Sequence, residues 1–426
     1  MRFEFDSGKD SSTIRAIFED DDESTGTRQE GPGTRITYSG QEITFDYAVG
    51  SIHPDLLGLL CLIIFYPFIG RRVVFPDPVS PRLEKAFRRP SFTRQFSFDN
   101  VDRRMERYVG SEMALSFGGG IDSSAVHKMF PEAFVVHEAH IRDGCLVPSH
   151  AHQIVQDLGP DRGRVVTTNQ RYVSHPGGWH GWTCAFATSL LMATDYRFGI
   201  ILMGSNLGGT LLHKGTRYYN RFKARKWHGP TGNFWQSAFD DIGIPLFSPV
   251  SGASEYLTMA LSLHLVRSGR VVYCMERDGS ACHRCTKCMR RDVIRTVVDE
   301  GHHADWGRYD RKDVHEFLER EPLYQGYVFS FARDRVSTLP HFMTSRLGDL
   351  PSIELDWPMR IHPRTFRLCD KAWRPMIRRR VLGHVEPMTR RHVSEMKKWD
   401  VMQPQPSRRS WMGLGFPGSN PSRQGD

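Results

Sequence analysis

The run Ser116-Phe117-Gly118-Gly119-Gly120-Ile121-Asp122-Ser123-Ser124 constrains this chain more than any other segment. Met113-Ala114-Leu115 before it reads as the end of a buried strand. Ala125-Val126-His127-Lys128-Met129 after it reads as the first turns of a helix. Glycines at a strand-to-helix junction free backbone N–H groups to point at an anion, at the positive end of the helix dipole. Asp122 adds a carboxylate suited to Mg²⁺, and Ser123 and Ser124 add hydroxyls suited to phosphate oxygens. The run is not a Walker loop, because G-x-x-x-x-G-K-[ST] occurs nowhere in the chain, and G-x-G-x-x-G fails at Ser123. The alternative is a glycine-rich turn that holds no ligand.

Around this loop, residues 105–300 alternate short apolar strands with helices. Candidate strands are Ala114–Phe117, Ala133–His137, Arg164–Thr168, Gly199–Met203 and Val271–Tyr273. Trp182–Tyr196 and Ser254–Arg267 read as helices. The alternation predicts an α/β fold with a doubly wound parallel sheet, whose ligands sit beyond the carboxyl ends of the strands. Residues 1–104 read as an α+β accessory domain. In it Arg35–Tyr38 and Glu42–Tyr47 form a hairpin, Glu19–Glu23 a solvated acidic loop, and Asp55 the cap of an apolar buried helix. Pro76, Pro78 and Pro81 mark a linker. Residues 301–401 read as a C-terminal extension and 402–426 as a disordered tail. The most apolar run, Leu56 to Ile69, is short for a membrane span and contains Pro67. Met1 to Asp6 lacks the apolar core of a signal peptide. Eight cysteines, four of them clustered, do not suit a secreted disulfide framework, so the expected setting is the cytoplasm, without a membrane partner.

Three further segments carry chemistry. Gly199-Ile200-Ile201-Leu202-Met203 runs into Gly204-Ser205-Asn206, a second strand ending in a small-residue turn; an ordinary strand-end turn has the same pattern. Between His213 and His228 lie Lys214, Arg217, Arg221, Lys223, Arg225 and Lys226 with no acidic residue. Tyr218, Tyr219, Phe222 and Trp227 are interleaved. The cations suit a triphosphate or an anionic substrate, the aromatic rings suit stacked bases, and the commonest fate of such a run is a solvated loop. Cys274, Cys282, Cys285 and Cys288 form C-x7-C-x2-C-x2-C, the spacing of a closed tetrahedral zinc knuckle. An iron–sulfur cluster is the rival, and His283 is a further donor inside the knuckle.

The glycine loop resembles the pyrophosphatase loop of the PP-loop ATP-pyrophosphatase superfamily, S-G-G-x-D-S. Gly119, Gly120, Ile121, Asp122 and Ser123 match, and Gly118 stands where the family has serine. The glycine loop, Gly204-Ser205-Asn206, a helix from Ser254, four cysteines and Arg291 three places after Cys288 together resemble the layout of 7-cyano-7-deazaguanine synthase and its relatives. The likeness covers roughly residues 110–300 and implies a divergent member with its own substrate. It implies an adenine-nucleotide alpha-hydrolase-like fold with ATP, Mg²⁺ and a structural zinc on the four cysteines. Ser116, Gly118, Gly119, Gly120, Ile121, Asp122, Ser123, Ser124, Gly204, Ser205 and Asn206 would contact the nucleotide. Adenine would lie against the backbone near Val136 and His137, whose imidazole reads as a hydrogen-bonded core-edge group. Asp122 and Ser123 would act on the leaving pyrophosphate, and Lys214 or a nearby arginine on the α-phosphate.

The activity implied is ATP-dependent adenylation of a small carboxylate or carbonyl compound with release of pyrophosphate. Nitrogen, or less favourably sulfur, then displaces AMP, the nitrogen coming from ammonia or an ammonia-donating partner. The net charge of +9 keeps a nucleic-acid-modifying enzyme of the same superfamily in view as a less favoured alternative. Between Cys369 and Ser410, eleven Lys or Arg face four Asp or Glu. A nucleotide-binding module without turnover is the third class.

Overall fold

The computed structural model describes residues 1–27, 35–40, 42–89, 92, 94–142, 144–147, 149–175, 184–219, 235–271, 274 and 282–402. The strand expected over Val271–Tyr273 lies largely outside them. So do Trp182, Arg221, Phe222, Lys223, Arg225, Lys226, Trp227, His228 and the tail from 403.

The N-terminal segment supplies β1 (Arg2–Ser7), β2 (Ser12–Ile17), β3 (Thr25–Thr27), β4 (Arg35–Tyr38) and β5 (Ile43–Phe45). Next come α1 (Pro54–Phe65), β6 (Arg72–Val73), α2 (Pro81–Phe87) and β7 (Ser97–Phe98). The βα units follow as β8 (Glu112–Ser116), α3 (Ile121–Met129), β9 (Phe134–Arg142), β10 (Cys145–Leu146), α4 (His150–Leu158) and β11 (Gly163–Thr168). After these come β12 (Ser174–His175), α5 (Cys184–Leu191), β13 (Phe198–Leu202) and α6 (Leu207–Thr210). Then β14 (Leu212–His213), β15 (Arg217–Tyr218), α7 (Trp235–Ile242), β16 (Leu246–Phe247), α8 (Glu255–Arg267) and α9 (Thr286–Val298) lead into the C-terminal helices. Those are α10 (Lys312–Leu318), α11 (Gly326–Arg333), α12 (His341–Leu347), α13 (Arg374–Leu382) and α14 (Arg390–Lys398).

The central sheet runs β1-β2-β5-β11-β9-β8-β13-β16. From β11 to β16 every pairing is parallel. Among these five strands the chain order across the sheet is third, second, first, fourth, fifth, so connections leave β8 in opposite directions. Alternate residues therefore feed two cores. Leu115, Ile200 and Leu202 pack with Val126 of α3, Ile154 of α4 and Tyr256 of α8. Ala114, Val136, Val166 and Ile201 pack with Leu60 of α1, Leu190 of α5 and Phe239 of α7. Helices cover both faces, as near-continuous apolar strands require.

The first hundred residues are built into this sheet. β1, β2 and β5 continue it antiparallel from β11, with Phe45 opposite Thr168. The expected hairpin does not form: β4 pairs with β3 and β12 in a separate small sheet, while β5 joins the central one. Both strands alternate, but alternation reveals which face is buried, not which strand is the partner. α1 is the expected buried helix, with its end tightened into a 3₁₀ turn at Tyr66–Phe68. Its cap is His53. Asp55 is instead buried in the first turn, where its carboxylate accepts from the Ser80 backbone N–H and hydroxyl, both at 2.7 Å. Ser80 in turn caps α2, so Pro81 opens a helix where a linker was expected. The acidic run is an anchor: Asp22 accepts from Gly70 N–H at 2.7 Å, Asp21 from Arg71 N–H at 2.7 Å, and Glu19 and Glu23 pair with Arg72 and Arg94.

The C-terminal extension is helical among its regular elements and packs into the same core as α3, α8 and α9. Tyr327, Phe329 and Trp357 are completely buried. Tyr256 on α8 donates its hydroxyl to Val328 O at 2.6 Å. No helix among the described residues is long and apolar enough to cross a membrane.

Candidate functional site

The glycine loop leaves the carboxyl end of β8, and Gly204-Ser205-Asn206 leaves the carboxyl end of the adjacent β13. Open α/β sheets form their ligand crevice where the strand order reverses. Here that is beside β8, where the two loops meet.

Backbone geometry explains both loops. Gly119 has φ +71°, and a Cβ there would lie 2.7 Å from Ala151 Cβ, so a left-handed, tightly packed position demands glycine. Gly118 and Gly120 have open space where a Cβ would stand, so the loop is uncovered on that side. Gly120 is the N-cap of α3 and offers no side chain, leaving that helix end without a side-chain cap. Gly204 presses its backbone against α3: a Cβ would fall 2.4 Å from Ser123 N. Asn206 then caps α6, its Oδ1 accepting from Gly208 N–H at 3.0 Å, while its Nδ2 donates to Asp122 Oδ2 at 3.0 Å. Asp122 and Asn206, 84 residues apart in the chain, thus join the two loops.

The other expected residues divide. Ser123 is nearly buried and its hydroxyl donates to Gly120 O at 3.0 Å. Ser116 and Ser205 are nearly buried; Ser205 N–H donates to Ser248 Oγ at 3.0 Å. Ser124 is completely buried and Ile121 sits in the core, so neither side chain is open to solvent. The strand carrying Val136 and His137 is longer than expected. β9 runs on to Arg142, so both lie within a strand, with Val136 O accepting from Phe117 N–H at 2.8 Å. His137 Nδ1 lies 2.8 Å from Phe117 O, and burial pushes the imidazole down to about 4, a neutral core-edge group. Lys214 is drawn to the C-terminal extension: its Nζ donates to Tyr324 Oη at 3.2 Å and lies over that ring.

Charged residues from two later helices close on Asp122. Asp122 Oδ1 is shielded from solvent without a well-formed hydrogen bond, although the Thr258 side chain is near enough to favour its charge. Burial raises the Asp122 carboxyl, Arg291 opposes that rise, and Glu255 adds to it. Ser254 caps α8 and places Glu255 in its first turn, almost wholly buried. Glu255 Oε2 lies 3.2 Å from Arg290 and 3.7 Å from Arg291. Burial alone would raise Glu255, but Arg290, Arg291 and Lys287 hold it below the ordinary range. The sequence pattern pointed to Arg291 and missed Glu255, Lys287 and Arg290. Their signal was present: Lys287, Arg290 and Arg291 occupy the start of α9, the end where a helix dipole disfavours cations.

The four cysteines come together where α9 begins. Their Sγ atoms all lie within 4.8 Å of one another, with Cys274–Cys285 at 3.9 Å and Cys282–Cys288 at 3.7 Å. A tetrahedral ion with metal–sulfur bonds of about 2.3 Å sets its ligands about 3.8 Å apart. Cys285 is the N-cap of α9, accepting from Cys288 N–H at 3.4 Å, and Cys282 Sγ accepts from Cys285 N–H at 3.3 Å. Such N–H···S bonds suit thiolates. Burial raises the Cys285 and Cys288 thiols, so the group needs a cation to hold it deprotonated. The group can hold a metal. His283 is exposed, with φ +51°, and stands outside it.

Over residues 234–400, α7 to α14, the chain is similar to a family of unknown function, DUF6395. That span contains the cysteines, Glu255 and the α9 cations, and excludes both loops at the crevice. No curated protein and no solved structure matches the chain.

Proposed function

We propose that this chain is a PP-loop ATP-pyrophosphatase-type ligase that adenylates a small carboxylate or carbonyl compound and passes the activated carbon to a nitrogen nucleophile. The observation that carries this is the Asp122–Asn206 hydrogen bond. It joins a glycine loop opening a helix to the loop of the neighbouring strand, at the point where the sheet reverses direction.

The chemistry follows from the residues. A substrate carboxylate oxygen attacks the α-phosphorus of ATP, the bond from that phosphorus to the β-bridging oxygen breaks, and pyrophosphate leaves with the electron pair. Backbone N–H groups at Gly118 to Gly120 and the uncapped start of α3 stabilise the charge that builds on the leaving oxygens. Mg²⁺, when bound at the Asp122 carboxylate, neutralises phosphate charge. Ammonia or an amine then attacks the activated carbon, a proton is lost, and AMP departs. Zinc in the four-cysteine knuckle is structural, since all four positions are thiolates and none is left for a reacting ligand. Cysteines gathered as metal ligands rather than as disulfides suit a reducing cytoplasm.

The test is an ATP product assay: labelled ATP and Mg²⁺ with a metabolite extract, beside Asp122→Ala. The expected products are AMP and pyrophosphate, lost in the variant. ADP as product, or an unimpaired variant, refutes the assignment. A second reading, RNA modification, draws on the exposed cations Arg378, Arg379, Arg390, Arg391, Lys397 and Lys398 of α13 and α14. Salt-sensitive retention of tRNA, with AMP formed only when RNA is added, would favour it.

A further inference from the structure

We propose that Lys287, Arg290 and Arg291 form a polyphosphate subsite beside Asp122, which takes the pyrophosphate portion of the nucleotide. The inference rests on the adenylation function above, and it names side chains that no glycine-loop pattern contains.

Proximity is established through α8. Ser262 on α8 donates its hydroxyl to Ile121 O at 2.8 Å, so α8 lies along the start of α3. Glu255, one end of α8, meets Arg290 and Arg291 of α9 at 3.2 Å and 3.7 Å. The Arg291 charge is felt at Asp122 itself. The two arginines therefore border the crevice floor, and Lys287 lies about one turn before them on α9, its charge felt at Glu255.

The side-chain charges nearest the crevice are unequal. Three cations face two carboxylates, Asp122 and Glu255. The next acidic residue, Asp292, is engaged elsewhere, by the Tyr309 hydroxyl and by His302 at 3.3 Å. Arg291 is 8 % exposed, and its Nε and Nη1 are buried with no hydrogen bond. Arg290 Nε is engaged by Glu255 Oε2 at 3.2 Å, which leaves Arg291 as the guanidinium with uncommitted donors. A guanidinium removed from water with donors uncommitted is costly unless a ligand completes it. Phosphate oxygens match its planar fork and accept from several donors at once. Lys287, in the first turn of α9, also sits against the dipole of its own helix.

Titration calorimetry of inorganic pyrophosphate with Mg²⁺ into the metal-replete full chain tests this. Arg291→Met and Arg290→Met should each weaken binding at least tenfold, while AMP binding is unchanged. Glu255→Gln removes the competing carboxylate and should tighten pyrophosphate several-fold. Arg291→Met combined with Glu255→Gln guards against misfolding, because it removes one charge of each sign and keeps the net charge of the cluster; it should bind more weakly than Glu255→Gln alone. Wild-type affinity in both arginine variants, or weaker binding in Glu255→Gln, overturns the subsite. If the wild type still forms AMP in that case, the adenylation function survives. A wild type that neither binds pyrophosphate nor forms AMP removes both.

Discussion

Replacing Gly119 by alanine separates two physical demands that meet in one residue. With φ +71°, an L-residue at this position costs roughly 1–2 kcal/mol in backbone strain. The added methyl would stand 2.7 Å from Ala151 Cβ and 3.2 Å from its Cα and N. Carbon atoms prefer about 3.5–4.0 Å, so α4 or the loop must move. Ala151 is buried, and overpacking of this kind costs about 1–3 kcal/mol. Gly119→Ala should therefore lose about 2–5 kcal/mol in total. Ala151→Gly removes the opposing methyl and costs up to about 1 kcal/mol alone. In the double variant the steric part returns and only the backbone strain remains. The expected coupling is about 1–3 kcal/mol, favourable, from urea unfolding followed by tryptophan fluorescence. Gly118→Ala is the control, since open space and an ordinary φ predict a stability change within about 0.5 kcal/mol. The loop geometry is wrong if Gly119→Ala unfolds like wild type, or if the pair is simply additive.

Cys288→Ser should abolish stoichiometric metal in elemental analysis and lower the unfolding midpoint, because the thiol it removes is completely buried; unchanged metal content would refute the knuckle. Stripping the metal with a chelator should weaken pyrophosphate binding, because the knuckle fixes the start of α9, and by linkage pyrophosphate should tighten metal binding; equal metal affinity with and without pyrophosphate in a chelator competition would contradict this. Asp299→Asn tests the tie between α8 and α9. Arg267 and Arg295 hold Asp299 down to about 2, below its unfolded value. The stability this gives is present above the unfolded value and lost as pH falls through about 2, so wild type and variant should converge in strong acid. Glu138 has the opposite sign: burial raises it to about 8, so wild-type stability falls as pH climbs from the unfolded value toward 8. Glu138→Gln should be the more stable protein at pH 8 and no different near pH 4 by thermal unfolding.

The parallel core was readable where an apolar strand runs straight into a helix-opening loop, as β8 and β13 do. Four of the five expected strands fall where β8, β9, β11 and β13 lie. What failed was pairing. β4 and β5 look like neighbours along the chain, yet β5 is claimed by β2 and β11. That choice is made by the buried face formed with α1 and α5, which no local window contains. The acidic run was read as solvated for the same reason: its partners, Gly70 to Arg72 and Arg94, lie some fifty to seventy residues away. At the site, glycine and asparagine carried their own signals. The strand expected to end at His137 runs on to Arg142, because the length of β9 depends on its pairing with β11 out to His140.

The cation cluster was legible in part, through a local conflict. Helices gain from acidic residues in the first turn and basic ones in the last, yet α9 has no acid at its start and carries Lys287, Arg290 and Arg291 near it. Something other than dipole-compatible residues must hold that end. Cys285 as N-cap and Cys288 one turn on provide it, if a metal fixes both thiolates. A dicationic metal beside three basic side chains worsens the repulsion unless its four thiolates overcompensate, leaving the site at a formal −2. With a metal bound, the knuckle is then a source of negative charge at the start of the helix that carries the cations. Replacing two thiolates by neutral ligands while keeping the metal should release that balance. Metal content would stay, and the buried arginines, rather than the knuckle, would be where the fold gives way.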